Sequence, residues 1–174
     1  GDPMPGPAYV GDYTVAILSS WACLAALYNA QKTGKGESID CAQFEALLAI
    51  QAAYPCDWLT YKFPRKRNGS KNPSIAGVEP FKCKDGLIYV QWLMENTFRH
   101  CSSVIGLEYG TELIPDGIAF AYRGTPAGDL VIQKLTEYCA TKTVSEAEKE
   151  LNDHMCAASA ILTYEQMEDH PHYK

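Results

Sequence analysis

Few residues in this 174-residue chain have the type and spacing that chemistry needs, and the first is Asp12. It stands in Gly11-Asp12-Tyr13, where a leader carrying Pro3, Pro5 and Pro7 gives way to a long aliphatic pattern. A carboxylate at a helix start meets free backbone N–H groups and the positive end of the helix dipole. Both favour its ionised form. Taken alone, such a group reads as an ordinary helix cap. Other candidates are poorer. His170-Pro171-His172 is the tightest histidine pair, but no third ligand lies near it in sequence, so no metal is expected. Lys32-Thr33-Gly34-Lys35-Gly36 lacks the spacing of a phosphate loop, and no serine sits in a nucleophile elbow.

The bulk composition narrows the class. A hydrophobic fraction of 47% and a charged fraction of 21% are those of a soluble globular protein. The net charge of −6 argues against nucleic acid as a partner, although Lys62, Arg65, Lys66 and Arg67 form one basic cluster. No apolar run is expected to cross a bilayer, and the first residues carry no signal-peptide pattern. The seven cysteines are odd in number, scattered, and without a C-x-x-C pair. Buried free thiols in a reducing cytoplasm are therefore expected rather than disulfides. The chain starts without methionine, which suggests an internal piece of a longer protein.

The elements that would position Asp12 follow from periodicity. Ile17, Trp21, Leu24 and Tyr28 recur at helical spacing, with Leu18, Ala22 and Ala25 in a second row. The pattern predicts a helix from about Tyr13 to Lys32, buried on most sides and capped by Gly34. Glu37-Ser38-Ile39 allows a short strand. Asp40 and Gln43 have the spacing of a helix start, and the next helix is expected to reach about Tyr54, weakening at Pro55. Residues 1–58 then form a helical portion and 59–76 a linker, because charges, Pro64, Gly69 and Pro73 replace the aliphatics. Residues 77–174 read as a small α+β domain. It opens on a hairpin turning at Asp85-Gly86. Asn96 is expected to cap a helix reaching Ile105, Thr125-Pro126 to open another through about Thr141, and Thr143/Glu146 and Thr163/Gln166 to form capping boxes around a strand at 157–162.

Gly11-Asp12-Tyr13, Leu27-Tyr28, the run from Lys32 to Asp40 and the following Phe44-Glu45-Ala46-Leu47-Leu48 together resemble the family III CoA-transferases, which include the formyl-CoA, carnitine and bile-acid enzymes. The stretch from Phe81 to Ile88 looks like the opening hairpin of that family's smaller domain. Ile105-Gly106-Leu107 and Pro171-His172-Tyr173 look like its carnitine and bile-acid branch. The resemblance implies the helical end of a large nucleotide-fold domain, a linker and a small domain, cut from an enzyme that forms interlocked homodimers. It implies coenzyme A as co-substrate, an acyl-CoA and a carboxylic acid as partners, and no metal, nucleic acid or membrane.

By the same resemblance Asp12 matches the catalytic aspartate. It attacks an acyl-CoA carbonyl, the mixed anhydride is opened by the CoA thiolate, and an aspartyl-CoA thioester passes CoA to the acceptor acid. Gln43 falls near a position lining the CoA channel, with helix capping as the other reading. Lys35 is a candidate phosphate contact. The stretch 72–77 corresponds to a glycine-rich active-site loop but holds one glycine. Tyr9, Tyr13, Trp58 and Tyr61 are the aromatics that could face a quaternary ammonium. Two other readings stand beside transfer. One is a non-catalytic structural or interaction segment. The other is an acyl-CoA racemase, which would need a His–Asp acid/base pair.

Overall fold

The computed structural model describes residues 8–51 and 54–173. The expectations for Pro3, Pro5 and Pro7, and for the second helix at Ala52, fall outside them. The fold is mixed α+β, with seven α-helices and one three-stranded antiparallel sheet among the described residues. The chain divides into two compact units, Gly1–Arg67 and Asn68–Lys174.

The first unit is helical: α1 (Val10–Thr33), α2 (Gln43–Ala49) and α3 (Tyr54–Tyr61). α1 ends as its pattern predicts. Gly34 takes the left-handed conformation, φ 72°, and its N–H donates to the Ala30 carbonyl. Its start differs from expectation. The helix begins three residues early, with Tyr9 as N-cap, so Asp12 lies inside the first turn and does not cap it. Glu37-Ser38-Ile39 forms no strand, and α2 stops at Ala49. Pro55 sits in the first turn of a new helix, where its missing N–H costs nothing, and residues 59–61 finish that helix instead of opening a linker.

The largest correction concerns which side of α1 is covered. The expected burial on most sides does not occur: Gly11 is its one buried residue. A stripe of mostly small side chains, Gly11, Val15, Leu18 and Ala22, is buried or half-buried. The large row faces outward, with Ile17 54%, Trp21 65%, Leu24 65% and Tyr28 60% exposed. Small residues let α2 approach α1 closely, and so they take the inner face. At 24 residues and a mean hydropathy of 1.4, α1 is also long and apolar enough to cross a membrane, contrary to the reading of the sequence.

The second unit follows its local signals closely. β1 (Glu79–Lys82) and β2 (Leu87–Gln91) pair antiparallel around the Asp85-Gly86 turn, with Phe81 opposite Ile88. β3 (Ala157–Ala160) adds to β2. Alternate residues Phe81, Ile88 and Val90 point into a core shared with Val131 and Leu135 of α5 (Pro126–Ala140) and Ala147 and Leu151 of α6 (Val144–Asp153). The caps on α5 and α6 fall where expected: Thr125 accepts from the Gly128 N–H, and Thr143 and Glu146 form a capping box. Thr163 and Gln166 do the same for α7 (Tyr164–Asp169), which runs into a 3-10 turn at Pro171–Tyr173. α4 (Glu95–Val104) departs: its N-cap is Met94, so Asn96 lies within the helix and caps nothing.

Two non-local links complete this unit. Cys101 of α4 and Cys156 before β3 form a disulfide across 55 residues, against the expectation of free thiols throughout. A separation that long leaves no spacing pattern to read. Glu79, 2% exposed, meets the Arg123 guanidinium at 2.8 Å and the Lys71 ammonium at 3.6 Å. Arg123 also donates from Nε to the Asn72 carbonyl.

This pair generates a prediction. Glu79→Ala strands a guanidinium that is 22% exposed, and should cost about 3 kcal/mol, the low end for a broken buried pair. Urea unfolding of the chain reads this as a lower midpoint, and a paired Glu79→Leu, Arg123→Met replacement should restore most of it. A second prediction concerns pH. Hydrogen bonds from Lys142 and then Tyr138 hold the Glu150 carboxyl below its usual range. A lowered value stabilises the fold above the unfolded carboxyl value, about 4.3. The stabilisation is lost as pH falls through the lower folded value. The Tm difference between wild type and Glu150→Gln should therefore be present at pH 7 and close below about pH 4.

Candidate functional site

Asp12 is the third residue of α1, in the turn where the helix dipole acts. Its side chain is exposed, and among the described residues no hydrogen bond or ion pair engages it. A carboxylate on a helix start that caps nothing and pairs with nothing is free to meet a ligand. The next residue back is Gly11, and here side chains of α2 come close to the α1 backbone. A Cβ on Gly11 would lie 2.8 Å from Gln43 Nε2, 3.3 Å from Gln43 Cδ and 3.3 Å from Leu47 Cδ1. The Gln43 carboxamide thus lies over the bare Cα of Gly11, beside the first turn of α1.

Gln43 is the first residue of α2, and the N-cap is Ala42, whose side chain makes no capping bond. The capping reading of Asp40 and Gln43 is therefore corrected: the helix starts two residues later than that motif requires. The structure does bring Asp12 and Gln43 to one end of the α1–α2 pair, through Gly11. Below them, α1, α2 and residues 40–42 enclose a groove of about 220 Å³ lined by Val15, Leu18, Asp40, Cys41 and Glu45. Two carboxylates at its rim make it unsuited to phosphate groups.

The remaining candidates are each described within their own unit. Lys35 is exposed in the chain after α1. The Trp58 ring faces the chain's own Lys62 ammonium, 5.8 Å from its centroid, and Arg65 lies over Tyr54 and Phe63. Arg65 also pairs with Asp57 at 2.5 Å, so one member of the basic cluster is already neutralised. Residues 72–77 belong to the second unit and are tied down. Asn72 Oδ1 accepts from the Ser74 and Ile75 N–H groups, and the Ala76 N–H donates to Ala121. His170 and His172 stand 6.5 Å apart between ring centroids, and among the described residues no three metal-binding side chains come together.

Cys83 and Cys139 are a buried thiol pair that the sequence did not single out. Burial, and then the neighbouring Cys83 sulfur, push the Cys139 thiol up to about 12. Burial also raises the Cys83 thiol. Thiols held protonated in this way are not nucleophiles at neutral pH. Alkylation of the folded chain at pH 8.5 should therefore label the exposed Cys23, Cys41 and Cys56, and should leave Cys83 and Cys139 unmodified until denaturant is added. Mass spectrometry of the digested peptides reads the difference.

The family model described as CoA-transferase family III matches residues 1–174. Among solved structures, a CaiB/BaiF family protein from Brucella suis superposes with a TM-score of 0.67 at 20% identity, covering 99% of this chain and 45% of that one. Rv3272 from Mycobacterium tuberculosis, in an orthorhombic form, superposes with a TM-score of 0.75 at 19% identity, covering 99% and 44%. An aspartate-to-alanine mutant of that protein gives 0.76 at 19% identity, with the same coverage. At these identities the likeness is one of fold. The chain spans less than half the length of the structures it matches.

Proposed function

The chain belongs to CoA-transferase family III, and on that premise we propose that it carries the nucleophile of an enzyme moving CoA between an acyl-CoA and a carboxylic acid. The observation that carries this reading is Asp12: an exposed carboxylate in the first turn of α1, without a partner among the described residues, inside a match that spans the whole chain. An Asp12 oxygen attacks the thioester carbonyl, and the carbon–sulfur bond breaks to release CoA thiolate. The thiolate then attacks the aspartyl carbonyl of the mixed anhydride, expels the acyl group as its carboxylate and leaves an aspartyl-CoA thioester. The acceptor carboxylate opens that thioester, forming a new anhydride, and the CoA thiolate finally takes the acceptor acyl group. Charge moves between carboxylate, thiolate and tetrahedral oxyanion throughout, and backbone N–H groups at a helix start suit such oxyanions. A racemase would set a histidine against Asp12. The Gly11-Asp12-Tyr13 motif sets no histidine beside Asp12, which favours transfer.

The outward row of α1 supports a second part of the reading. Ile17, Trp21, Leu24 and Tyr28 recur at helical spacing and are each more than half exposed, an apolar row of the kind that interaction surfaces use. We take it to be covered by the rest of a full-length polypeptide, which pairs as a homodimer and supplies most contacts to the CoA phosphates. The 174 residues alone then lack the parts that orient a thioester, an advantage worth roughly 7–11 kcal/mol of barrier in well-organised sites.

Two measurements test these statements. The full-length protein, incubated with acetyl-, butyryl- and succinyl-CoA, should gain the mass of CoA less water on the peptide holding Asp12. Hydroxylamine should discharge the adduct, and Asp12→Asn should abolish it while leaving the Tm within a few degrees. An Asp12→Asn enzyme that turns over normally overturns the assignment. The isolated 174-residue chain should show no binding of acetyl-CoA by calorimetry at micromolar concentrations and no CoA exchange. Micromolar binding there would mean that this segment holds a complete site.

A further inference from the structure

We propose that Gly11 is a positioning residue for the reaction at Asp12, because its missing side chain seats the Gln43 carboxamide beside the nucleophile. This rests on the transferase reading above. A Cβ on Gly11 would stand 2.8 Å from Gln43 Nε2, inside van der Waals contact. Gln43 is not needed for capping, since Ala42 occupies that position. No side-chain hydrogen bond to another described residue uses its amide, so its two N–H donors are open to a ligand. Gly11 is not needed for backbone conformation either. It lies within regular helix, has no left-handed φ, and is the one buried residue of α1. Glycine within a helix is unfavourable relative to alanine. Its presence is accounted for by what lies over it.

The chemistry assigned to the amide is hydrogen-bond donation during acyl transfer. When an Asp12 oxygen bonds to the thioester carbon, the carbonyl π pair moves to the acyl oxygen, which becomes an oxyanion. The Gln43 N–H donates to that oxygen without losing its proton. The donor is released when the carbon–sulfur bond breaks and the carbonyl re-forms. A donor that meets the developing charge lowers the barrier more than it tightens ground-state binding.

The test uses Gly11→Ala in the full-length enzyme, assayed in single turnover by formation of the Asp12 adduct with acetyl-, butyryl- and succinyl-CoA. The added methyl collides with the far end of a flexible side chain, so the helix is kept and the amide moves. The adduct rate should fall at least tenfold, with less than a threefold change in the acyl-CoA concentration giving half-maximal rate. Gln43→Ala should lose a comparable factor. Because both act through one group, the double variant should be no slower than Gln43→Ala alone. Gln43→Ala also removes the collision, so the double variant remains foldable if Gly11→Ala does not. An unchanged rate in Gly11→Ala overturns the inference, as do losses that multiply in the double variant. A failure of the underlying reading looks different: wild type would form no adduct, or Asp12→Asn would form one.

Discussion

The approach of α1 to α2 at Gly11 is the constraint on which the first unit depends. At that point a helix backbone meets a side chain with no atom to spare between them. Val15, Leu18 and Ala22 continue the same stripe along α1. Their modest size sets how near the two helices lie, and so what stands beside the first turn. A larger residue at Gly11 would leave Asp12 where it is and move its neighbour. The position of the candidate nucleophile is thus a property of α1 alone, whereas its surroundings are a property of the helix pair.

The same choice of inner face explains the unusual surface of α1. With its small side chains turned inward, the helix presents Ile17, Trp21, Leu24 and Tyr28 outward. Those residues would bring roughly 1.5–3 kcal/mol each if fully buried, more than α2 offers as a covering. The second unit shows the opposite arrangement. Trp92, Phe98, Ile88 and Leu135 are fully enclosed, and Trp92 meets Phe98 edge-on at 5.0 Å. Its deeply buried carboxylate Glu79 is answered by two cations. One unit is closed around its own core, and the other carries an apolar face of the kind that protein interfaces use.

Membership of CoA-transferase family III gives these differences a functional sense. The residue read as nucleophile lies in the open unit, at the end of the helix whose large side chains face outward. In the closed unit the buried thiols Cys83 and Cys139 are held protonated, and among the described residues no three metal-binding side chains come together. Its role in the reading offered here is architectural. Stretch 72–77 supports this, since it is hydrogen-bonded to 121–123 and not free to move as a lid.

Local features were legible from residues alone. The Asp85-Gly86 hairpin, the Gly34 terminus, Thr125-Pro126 and both capping boxes each depend on contacts within a few residues, so their spacing is their mechanism. The Gly11-Asp12-Tyr13 motif and its family were legible for the same reason. Tertiary structure decided the rest. Periodicity showed that α1 is apolar on two rows but not which row α2 would cover, because that depends on how closely two helices can approach. Asp12 lost its capping role when Tyr9 took the preceding turn. Cys101 met Cys156, and Glu79 met Arg123, across separations of 55 and 44 residues that no local pattern records. Gln43 reached Gly11 across a turn of extended chain. In each case the deciding contact joins residues distant in sequence, and their distance in space exists only once the helices and strands have packed.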